Sequence, residues 1–281
     1  MEIKVYFTGA ILSSILKKPV YSVKNAKMKV CLTKTLRFAL VIFGFLILPT
    51  TRGLGAVIVY DRVTTVGTPV YLKVLTKGRI FADGGRLVEF YLDDKSFGKN
   101  LTGGDGYGYR KYTPQREGII KVRATSDGES GNGLVLVMKK SEKAVLIEIE
   151  GGFKDALISD IAAGVSRQAV KQLLKKYRVI YLSRHTGIRI ARSWLDKNEF
   201  PDAPVLRWRG EQTLNALKEK SVKLYAIIGP ASVIAAAADH IKKRYTFDQN
   251  QKEQTVKDWQ EVMQRLSESA SKDPPKTKKK K

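Results

Sequence analysis

The stretch KAVLIEIEGG, residues 143–152, decides how the second half of the chain folds. Its apolar, β-branched run, Val145, Leu146 and Ile147, is typical of a strand that is buried on both faces of a parallel sheet. Two acids, Glu148 and Glu150, follow where this strand should give way to a loop. Open α/β sheets place their ligands at this end of their strands. The stretch therefore predicts a central strand with a candidate site at its carboxyl end.

The residues that follow alternate between helical and strand patterns. Residues 158–177 carry an apolar stripe at helical spacing. The next segments read in turn as strand and helix: RVIYLS (178–183), TGIRIARSWLDKN (186–198), APVLRW (203–208), EQTLNALKEK (211–220), KLYAIIG (223–229) and PASVIAAAADHIKKR (230–244). A short last strand is predicted at residues 245–248. This order predicts an α/β domain over residues 141–248, in which a Rossmann-like parallel sheet has helices on both faces.

Residues 57–140 carry a different pattern, made of short β-rich runs separated by turn residues. The runs are AVIVYDRV, TPVYLKVLTKG, GGRLVEFYLDD, GYGYRKYTP, GIIKVRATS and GLVLVMKK. Their spacing predicts an all-β sandwich. A turn motif is formed by Thr102, Asp105, Gly106 and Tyr107, and a strand pattern follows at residues 118–124. These features resemble bacterial immunoglobulin-like repeats, which implies a spacer or binding module.

Three tyrosines, Tyr107, Tyr109 and Tyr112, alternate along one of these predicted strands. They have two interpretations. One is a packed face of the sandwich, which the usual burial of aromatic residues favours. The other is a surface that binds a sugar or a protein partner.

The upstream segment, residues 1–56, predicts an export signal. Basic residues follow Met28, an apolar stretch spans residues 38–48, and small residues come next. This order is typical of a secretory signal peptide that is cleaved after Gly55 or Ala56, and Met28 is an alternative start of the chain. The apolar stretch is short for a transmembrane span, and an uncleaved membrane anchor is the alternative.

The formal net charge of +24 is concentrated at the two ends of the chain. Residues 1–55 hold nine Lys or Arg against one acid, and residues 272–281 hold six Lys against one Asp. The body is therefore only moderately basic, and we expect no nucleic-acid partner. Residues 249–271 predict an amphipathic C-terminal helix, and residues 272–281 a disordered basic tail. The only cysteine, Cys31, lies in the predicted signal, so no thiol chemistry is expected after export.

Four segments carry a resemblance to a known family: VLIEIEGG, VIYLSRHTGIRIARSWLDKNEFPDAPVL, TLNALKE and LYAIIGPASVIAAAADHI. They resemble the phosphohydrolase core of the haloacid dehalogenase (HAD) superfamily. The similar branch is the one found at the C-terminus of lipins and of membrane-associated phosphatidylinositol transfer proteins. The resemblance covers about one hundred residues and implies a phosphatase-like α/β fold.

The resemblance assigns roles to the residues at the strand ends. In an active member the first core strand ends in Asp-x-Asp, whose acids attack phosphorus, protonate the leaving group and help to bind Mg²⁺. Glu148 and Glu150 stand at these positions, and one extra methylene in each moves the carboxylate by roughly an ångström. Ser183 matches the second motif, whose hydroxyl stabilises the transferring phosphoryl group.

Other positions depart from the family pattern. Asn215 stands at the expected lysine and lacks its positive charge, although Lys218 or Lys220 could substitute. Ile234 stands where a metal-binding Asp is expected, and no acid follows until Asp239. Because the expected acids are missing, we predict poor Mg²⁺ affinity.

Two interpretations of Glu148 and Glu150 remain open. In one, they bind a cation or a polar ligand. In the other, they are solvated carboxylates paired with Arg184 or His185. The remaining histidine, His240, reads as an ordinary surface residue.

The sequence thus predicts an exported HAD-like pseudoenzyme, periplasmic or extracellular, that acts as a binding or structural module without a cofactor. Two alternatives remain. One is a Mg²⁺-dependent phosphatase, acting on phosphatidate or another phosphomonoester, with Glu148 as nucleophile. The other is a membrane-anchored periplasmic protein with a basic tail. The expected partner is a protein, a glycan or a lipid, with membrane association through an uncleaved N-terminal segment or the tail.

Overall fold

The computed structural model describes residues 55–153, 160–249 and 254–271. All of them belong to one compact unit. Residues 1–54 of the predicted signal segment and the predicted basic tail, residues 272–281, lie outside the described residues.

Residues 56–138 form two packed β-sheets, an architecture shared with immunoglobulin-like domains. The strands are β1 (Ala56–Tyr60), β2 (Arg62–Thr65), β3 (Val70–Lys77), β4 (Leu87–Leu92), β5 (Lys95–Leu101), β6 (Tyr107–Tyr112), β7 (Gly118–Ser126) and β8 (Glu129–Met138). One sheet has the order β1-β3-β6 and the other β2-β8-β7-β4-β5. Alternate apolar side chains, among them Val59, Leu72 and Phe90, fill the space between the sheets.

The predicted strand AVIVYDRV is two strands, which is the main correction in this region. Residues of β1 pair with β3 in one sheet, whereas residues of β2 pair with β8 in the other. The chain changes sheet at Asp61, which is buried between the two strands. Strand β5 was not predicted from sequence; it is an edge strand whose residues are all exposed or half-buried.

Residues 143–245 form a five-stranded parallel sheet of the predicted kind. Its strands are β9 (Lys143–Glu148), β10 (Arg178–Ser183), β11 (Val205–Arg207), β12 (Lys223–Ile228) and β13 (Lys243–Tyr245), in the order β11-β10-β9-β12-β13. The predicted central strand is therefore central. It pairs with β10 on one side and with β12 on the other.

Helices cover both faces of this sheet. They are α1 (Ile149–Gly152), α2 (Asp160–Leu173), α3 (Ile188–Lys197), α4 (Glu211–Glu219), α5 (Ala231–Ala236) and α6 (Trp259–Ser271). Side chains of α2, α3 and α6 pack on one face, and side chains of α4 and α5 pack on the other. The central strand alternates accordingly, with Val145 and Ile147 in the first layer and Ala144 and Leu146 in the second.

Three predicted boundaries near the C-terminus are wrong. Helix α5 ends at Ala236, because the chain then turns and β13 pairs in parallel with β12. The last strand therefore lies at 243–245 and not at 245–248. Helix α6 begins ten residues after residue 249, at Trp259. Asp258 accepts a hydrogen bond from the Glu261 backbone N–H at 2.9 Å, and this cap fixes the start of the helix.

One buried carboxylate joins the sandwich to the parallel sheet. Asp61 accepts hydrogen bonds from the backbone N–H of Leu134 in β8 at 2.6 Å and of Val205 in β11 at 2.8 Å. Its Oδ1 also lies 2.6 Å from the Arg192 guanidinium of α3. Apolar side chains of β2 and β8 share a core with those of α4. The sandwich and the parallel sheet are therefore packed into one structure.

Candidate functional site

The predicted strand-end residues come together at the carboxyl edge of the parallel sheet. Glu148 is the last residue of β9, and Ser183 is the last residue of β10 beside it. After Glu148 the chain turns through α1, a single helical turn, which directs Glu150 towards the β10 loop. The parallel pairing of the strands thus places both acids next to Ser183.

The carboxylate of Glu150 fills a nest of hydrogen-bond donors in the loop after β10. The backbone N–H groups of Arg184, His185 and Thr186 donate to it at 3.1, 3.2 and 3.0 Å. The Ser183 hydroxyl also lies 3.2 Å from the same carboxylate, but its single proton has a closer acceptor in the Thr186 carbonyl oxygen. Successive backbone N–H groups of this kind form an anion-binding concavity. The chain therefore fills its own anion site.

The carboxylate of Glu148 is fully buried. Its Oε2 accepts a hydrogen bond from the Gly151 backbone N–H at 2.6 Å and so caps α1. Its Oε1 lies 3.5 Å from Arg184 Nε, and neither of these two atoms has a hydrogen-bond partner within the described ranges. The Arg184 guanidinium is held from its other side by the Ser232 hydroxyl at 2.9 Å.

The two glutamates ionise very differently. Burial raises the pKa of Glu148 to about 8, and the negative charge of the neighbouring Glu150 adds to this rise. Burial would also raise the pKa of Glu150, but the neighbouring Glu148 carboxyl and hydrogen bonds from the loop backbone hold it well below its usual range. Burial and the nearby negative charge therefore favour the protonated form of Glu148 at neutral pH, whereas the backbone donors favour the ionised form of Glu150.

The loop after β12 closes over these acids and leaves little space. A Cβ atom at Gly229 would lie 3.0 Å from the Glu148 Cβ, and one at Gly151 would lie 2.6 Å from Pro230. Ile234, the position expected to hold a metal-binding acid, is completely buried in the core instead. Asp239 is exposed. Ile234 is part of the packed core and Asp239 is part of the solvent-exposed surface, so neither supplies a ligand to the site.

No residue takes the role expected of the family's lysine at position 215, 218 or 220. Asn215 is exposed on α4. Lys218 and Lys220 lie at the C-terminal end of α4, next to the turn into β12, so neither can reach the carboxyl edge of the sheet. Lys220 instead donates to the Pro69 carbonyl of the sandwich at 3.0 Å. The predicted substitution by Lys218 or Lys220 is therefore wrong.

The interpretation of the glutamates as solvated carboxylates is wrong for Glu148, since its side chain has no solvent exposure. Arg184 is its partner, as proposed from sequence, whereas His185 contributes only its backbone N–H to Glu150. His240 is half-buried, and its Nδ1 has no partner among the described residues. Sequence reasoning missed Asp248, whose carboxylate accepts from the first backbone N–H of α5 at 2.8 Å.

Magnesium does not fit this arrangement. The oxygens of both glutamates face hydrogen-bond donors or a guanidinium. Over the part of the chain that the structure describes, no group of three or more acidic, His or Cys side chains is arranged to hold a metal ion. Oxygen ligands free of competing donors are what Mg²⁺ requires.

Two cavities lie elsewhere, and neither is lined by Glu148, Glu150 or Ser183. The smaller, about 310 Å³, lies between β7, β8 and the segment that follows α3. The larger, about 710 Å³, lies between the outer face of the three-stranded sheet and the elements α3, β11 and α4. Among the described helices, none has both the length and the apolar character needed to cross a membrane.

Comparisons with known proteins do not place the chain in a family. No protein-family profile matches it, and no curated protein matches it. Solved structures do match parts of it. The CARDB domain of the PF1109 protein from Pyrococcus furiosus, solved in complex with di-metal ions, matches with a TM-score of 0.26 and 16% identity, over 31% of this chain and 89% of that domain.

Two further matches are domains of larger proteins. The D00-D0 domain of intimin matches with a TM-score of 0.26 and 16% identity, over 30% of this chain and 48% of that structure. The tandem Ig repeats of Dlar match with a TM-score of 0.24 and 12% identity, over 35% of this chain and 59% of that structure. At such low TM-scores these similarities carry no argument about function.

Proposed function

We propose that this chain is an exported, non-catalytic binding or structural module, in which a HAD-like α/β domain keeps the frame of a phosphohydrolase without its chemistry. One observation carries the proposal: Glu150 occupies the nest formed by the backbone N–H groups of residues 184–186. A transferring phosphoryl group needs donors of this kind to stabilise its charge. In this chain the Glu150 carboxylate already accepts the hydrogen bonds of these donors.

The state of Glu148 supports the same conclusion. A nucleophilic carboxylate must be ionised and must reach the phosphorus atom. Glu148 is buried, and its pKa of about 8 keeps it protonated at neutral pH. Its contacts with Gly151 and Arg184 serve to hold α1 and the β10 loop against the end of β9.

No cofactor is needed for this proposed role. A protein, a glycan or a lipid is the expected class of partner, and secretion to the periplasm or the cell exterior is the expected destination. The rival role as a Mg²⁺-dependent phosphatase requires Glu148 to ionise and Glu150 to leave its nest. No contact of the described residues favours that rearrangement.

Phosphatase activity of the purified full chain tests the proposal. The substrates are a panel of phosphomonoesters that includes phosphatidate, each with and without Mg²⁺. The matched control is Glu148→Gln, which keeps the shape of the side chain and removes its ability to attack. We expect no difference in turnover between the two proteins. Mg²⁺-dependent turnover that disappears in Glu148→Gln would establish the rival role.

A further inference from the structure

The larger cavity is a groove that the strand-end acids do not use. One wall is the outer face of the three-stranded sheet β1-β3-β6, and the other is formed by the start of α3, by β11 and by α4. Its volume of about 710 Å³ falls within the range of sites that bind small ligands, roughly 300–1,000 Å³. We call it the inter-domain groove.

Both walls of the inter-domain groove are cationic. The sandwich contributes Arg62, Lys73 and Lys77, and the α/β wall contributes Arg189, Arg207, Arg209 and Lys220. The only acid among the lining residues is Asp61, whose charge is already paired with Arg192 at 2.6 Å. A cleft lined by one sign of charge concentrates ligands of the opposite sign. The groove therefore suits an anionic ligand.

Three of the guanidinium groups are free to bind it. Arg189, Arg207 and Arg209 are exposed, and their side chains form no ion pair with any acid in the described ranges. A guanidinium presents a planar fork of donors that matches a carboxylate or a phosphate. All three lie on the α/β wall of the groove.

The aromatic residues on the opposite wall already hold a cation. The Lys73 ammonium lies 3.8 Å from the centre of the Tyr107 ring, 5.1 Å from that of Tyr60 and 5.7 Å from that of Tyr109. This arrangement fixes a positive charge among three rings. It also covers ring faces on which a nucleobase would otherwise stack. Tyr71, which lines the groove, keeps 56% of its surface exposed, whereas Tyr109, which is 44% exposed, lies outside the lining.

We propose that the inter-domain groove binds an acidic oligosaccharide, a chain of sugar rings that carry carboxylate groups. Cations and apolar side chains occur on both walls, where Ile58 faces the groove from the sandwich and Ile190 from α3. An extended sugar chain matches this pattern, since its carboxylates project to alternate sides and its rings have apolar faces. This inference deepens the proposed role as a binding module and rests on it.

Other anionic partners match the groove less well. A single-stranded nucleic acid carries its phosphates along one edge and its bases along the other, and it binds through open aromatic faces. The Lys73 ammonium lies over the Tyr107 ring, which leaves Tyr71 as the one exposed aromatic side chain among the described residues that line the groove. A bilayer surface is too broad to enter a concave groove between two walls. The charge pattern therefore favours a carboxylated sugar chain.

Titration calorimetry of the full chain tests the proposal with two sugar hexamers. One is (1→4)-linked galacturonate, and the other is its neutral galactose counterpart. The double variant Arg207→Gln/Arg209→Gln removes two charges from the groove. The double variant Lys95→Gln/Lys140→Gln removes two exposed charges that do not line it.

We expect the acidic hexamer to bind and the neutral hexamer not to bind. The groove variant should weaken binding by about tenfold or more, the size expected for the loss of a hydrogen-bonded ion pair. The surface variant should bind as the unmodified chain does. Equal binding of the two hexamers, or equal weakening in the two double variants, would overturn the proposal.

Two further binding measurements would identify a different ligand of the groove. Tighter binding of an oligothymidylate of matched charge, lost in the groove variant, would assign the groove to nucleic acid and overturn the proposal. Binding to vesicles that contain anionic lipid, if it depends on Arg207 and Arg209, would assign the groove to a membrane surface and would also overturn the proposal. Loss of sugar binding alone leaves the non-catalytic role intact, whereas Glu148-dependent phosphatase activity in the same preparation ends that role whatever the groove binds.

Discussion

Replacing Asp61 with alanine should weaken the whole described unit, because this side chain links three elements. It accepts hydrogen bonds from Leu134 in β8 and Val205 in β11, and it pairs with Arg192 in α3. Burial raises the pKa of Asp61, and the Arg192 charge and these hydrogen bonds oppose the rise. In Asp61→Ala three donors lose their acceptor, and the Val205 N–H is buried.

The expected loss follows from the cost of breaking a buried ion pair by removing one partner. That cost is about 3–5 kcal/mol, and we expect about 4 kcal/mol for Asp61→Ala. With a urea slope of about 3 kcal/mol per molar, a loss of this size lowers the unfolding midpoint by about 1.3 M. Such a loss is a large part of the stability of a typical domain.

Urea unfolding followed by two signals measures the effect. Tryptophan fluorescence reports on the α/β region, and far-ultraviolet circular dichroism reports on both regions. All three tryptophans lie in the α/β region: Trp194, Trp208 and Trp259. For Asp61→Ala we expect a lower midpoint by both signals, because both regions share the broken contact.

A matched control is Asp83→Ala. Asp83 pairs with Arg86 at 2.5 Å, close to the 2.6 Å of the Asp61 pair, but both partners are exposed. Exposed pairs add little to stability, so this variant should unfold near the midpoint of the unmodified chain. A shift for Asp61→Ala no larger than that for Asp83→Ala would refute the reasoning.

Three further predictions concern the strand-end site. Because Glu148 has a folded pKa of about 8 against an ordinary value of 4.5, the folded state binds the extra proton between these pH values. Its stability relative to Glu148→Gln should therefore fall by up to about 1.4 kcal/mol per pH unit over that window, measured by urea unfolding, and a constant difference would contradict the assigned pKa. Gly229→Ala should lower the free energy of unfolding by about 1–3 kcal/mol, because the added Cβ would lie 3.0 Å from the Glu148 Cβ. The control Gly164→Ala adds a Cβ in open space on α2, so it should be neutral or stabilising. Equal effects of the two variants in thermal unfolding would argue against close packing at Gly229. Glu150→Ala should empty the donor nest, so that inorganic phosphate raises its melting temperature but not that of the unmodified chain. No response to phosphate in this variant would show that the nest depends on Glu150 for its shape.

The parallel sheet could be predicted from sequence because its strands are continuous apolar runs. Each run between residues 143 and 228 lies on a described strand, since burial on both faces requires this composition. Edge strand β5 could not be found in this way. Its residues face solvent or are half-buried, so KSFGKNL lacks the apolar alternation that marks a strand.

The change of sheet at Asp61 had a weak local signal. The run AVIVYDRV alternates as one strand would, and only the acid in its middle interrupts the pattern. The partners that make a buried Asp61 tolerable come from residues 134, 192 and 205, which are distant in sequence. A start signal for α6 was present, because Asp258 and Glu261 have the spacing of a capping box.

The location of the candidate site was predicted from sequence, but the burial and the contacts of its two acids were not. The end of a central strand identified Glu148, Glu150 and Ser183 as neighbours of the sheet edge. The helical turn of α1 buries the first acid and carries the second into the β10 loop, and no residue spacing showed this. Burial of Glu148 depends on Gly229, which allows the β12 loop to lie against it.

We propose that the Glu148 and Glu150 pair serves structure and is not available to a metal or a phosphoryl group. Carbon-13 NMR titration of the glutamate side-chain carboxyl carbons, with Glu148→Gln to assign the signal, tests it most directly. We expect that Glu148 titrates near pH 8 and that millimolar Mg²⁺ leaves its titration unchanged. Titration near its ordinary value of 4.5, or a marked fall of its pKa when Mg²⁺ is added, would contradict the claim.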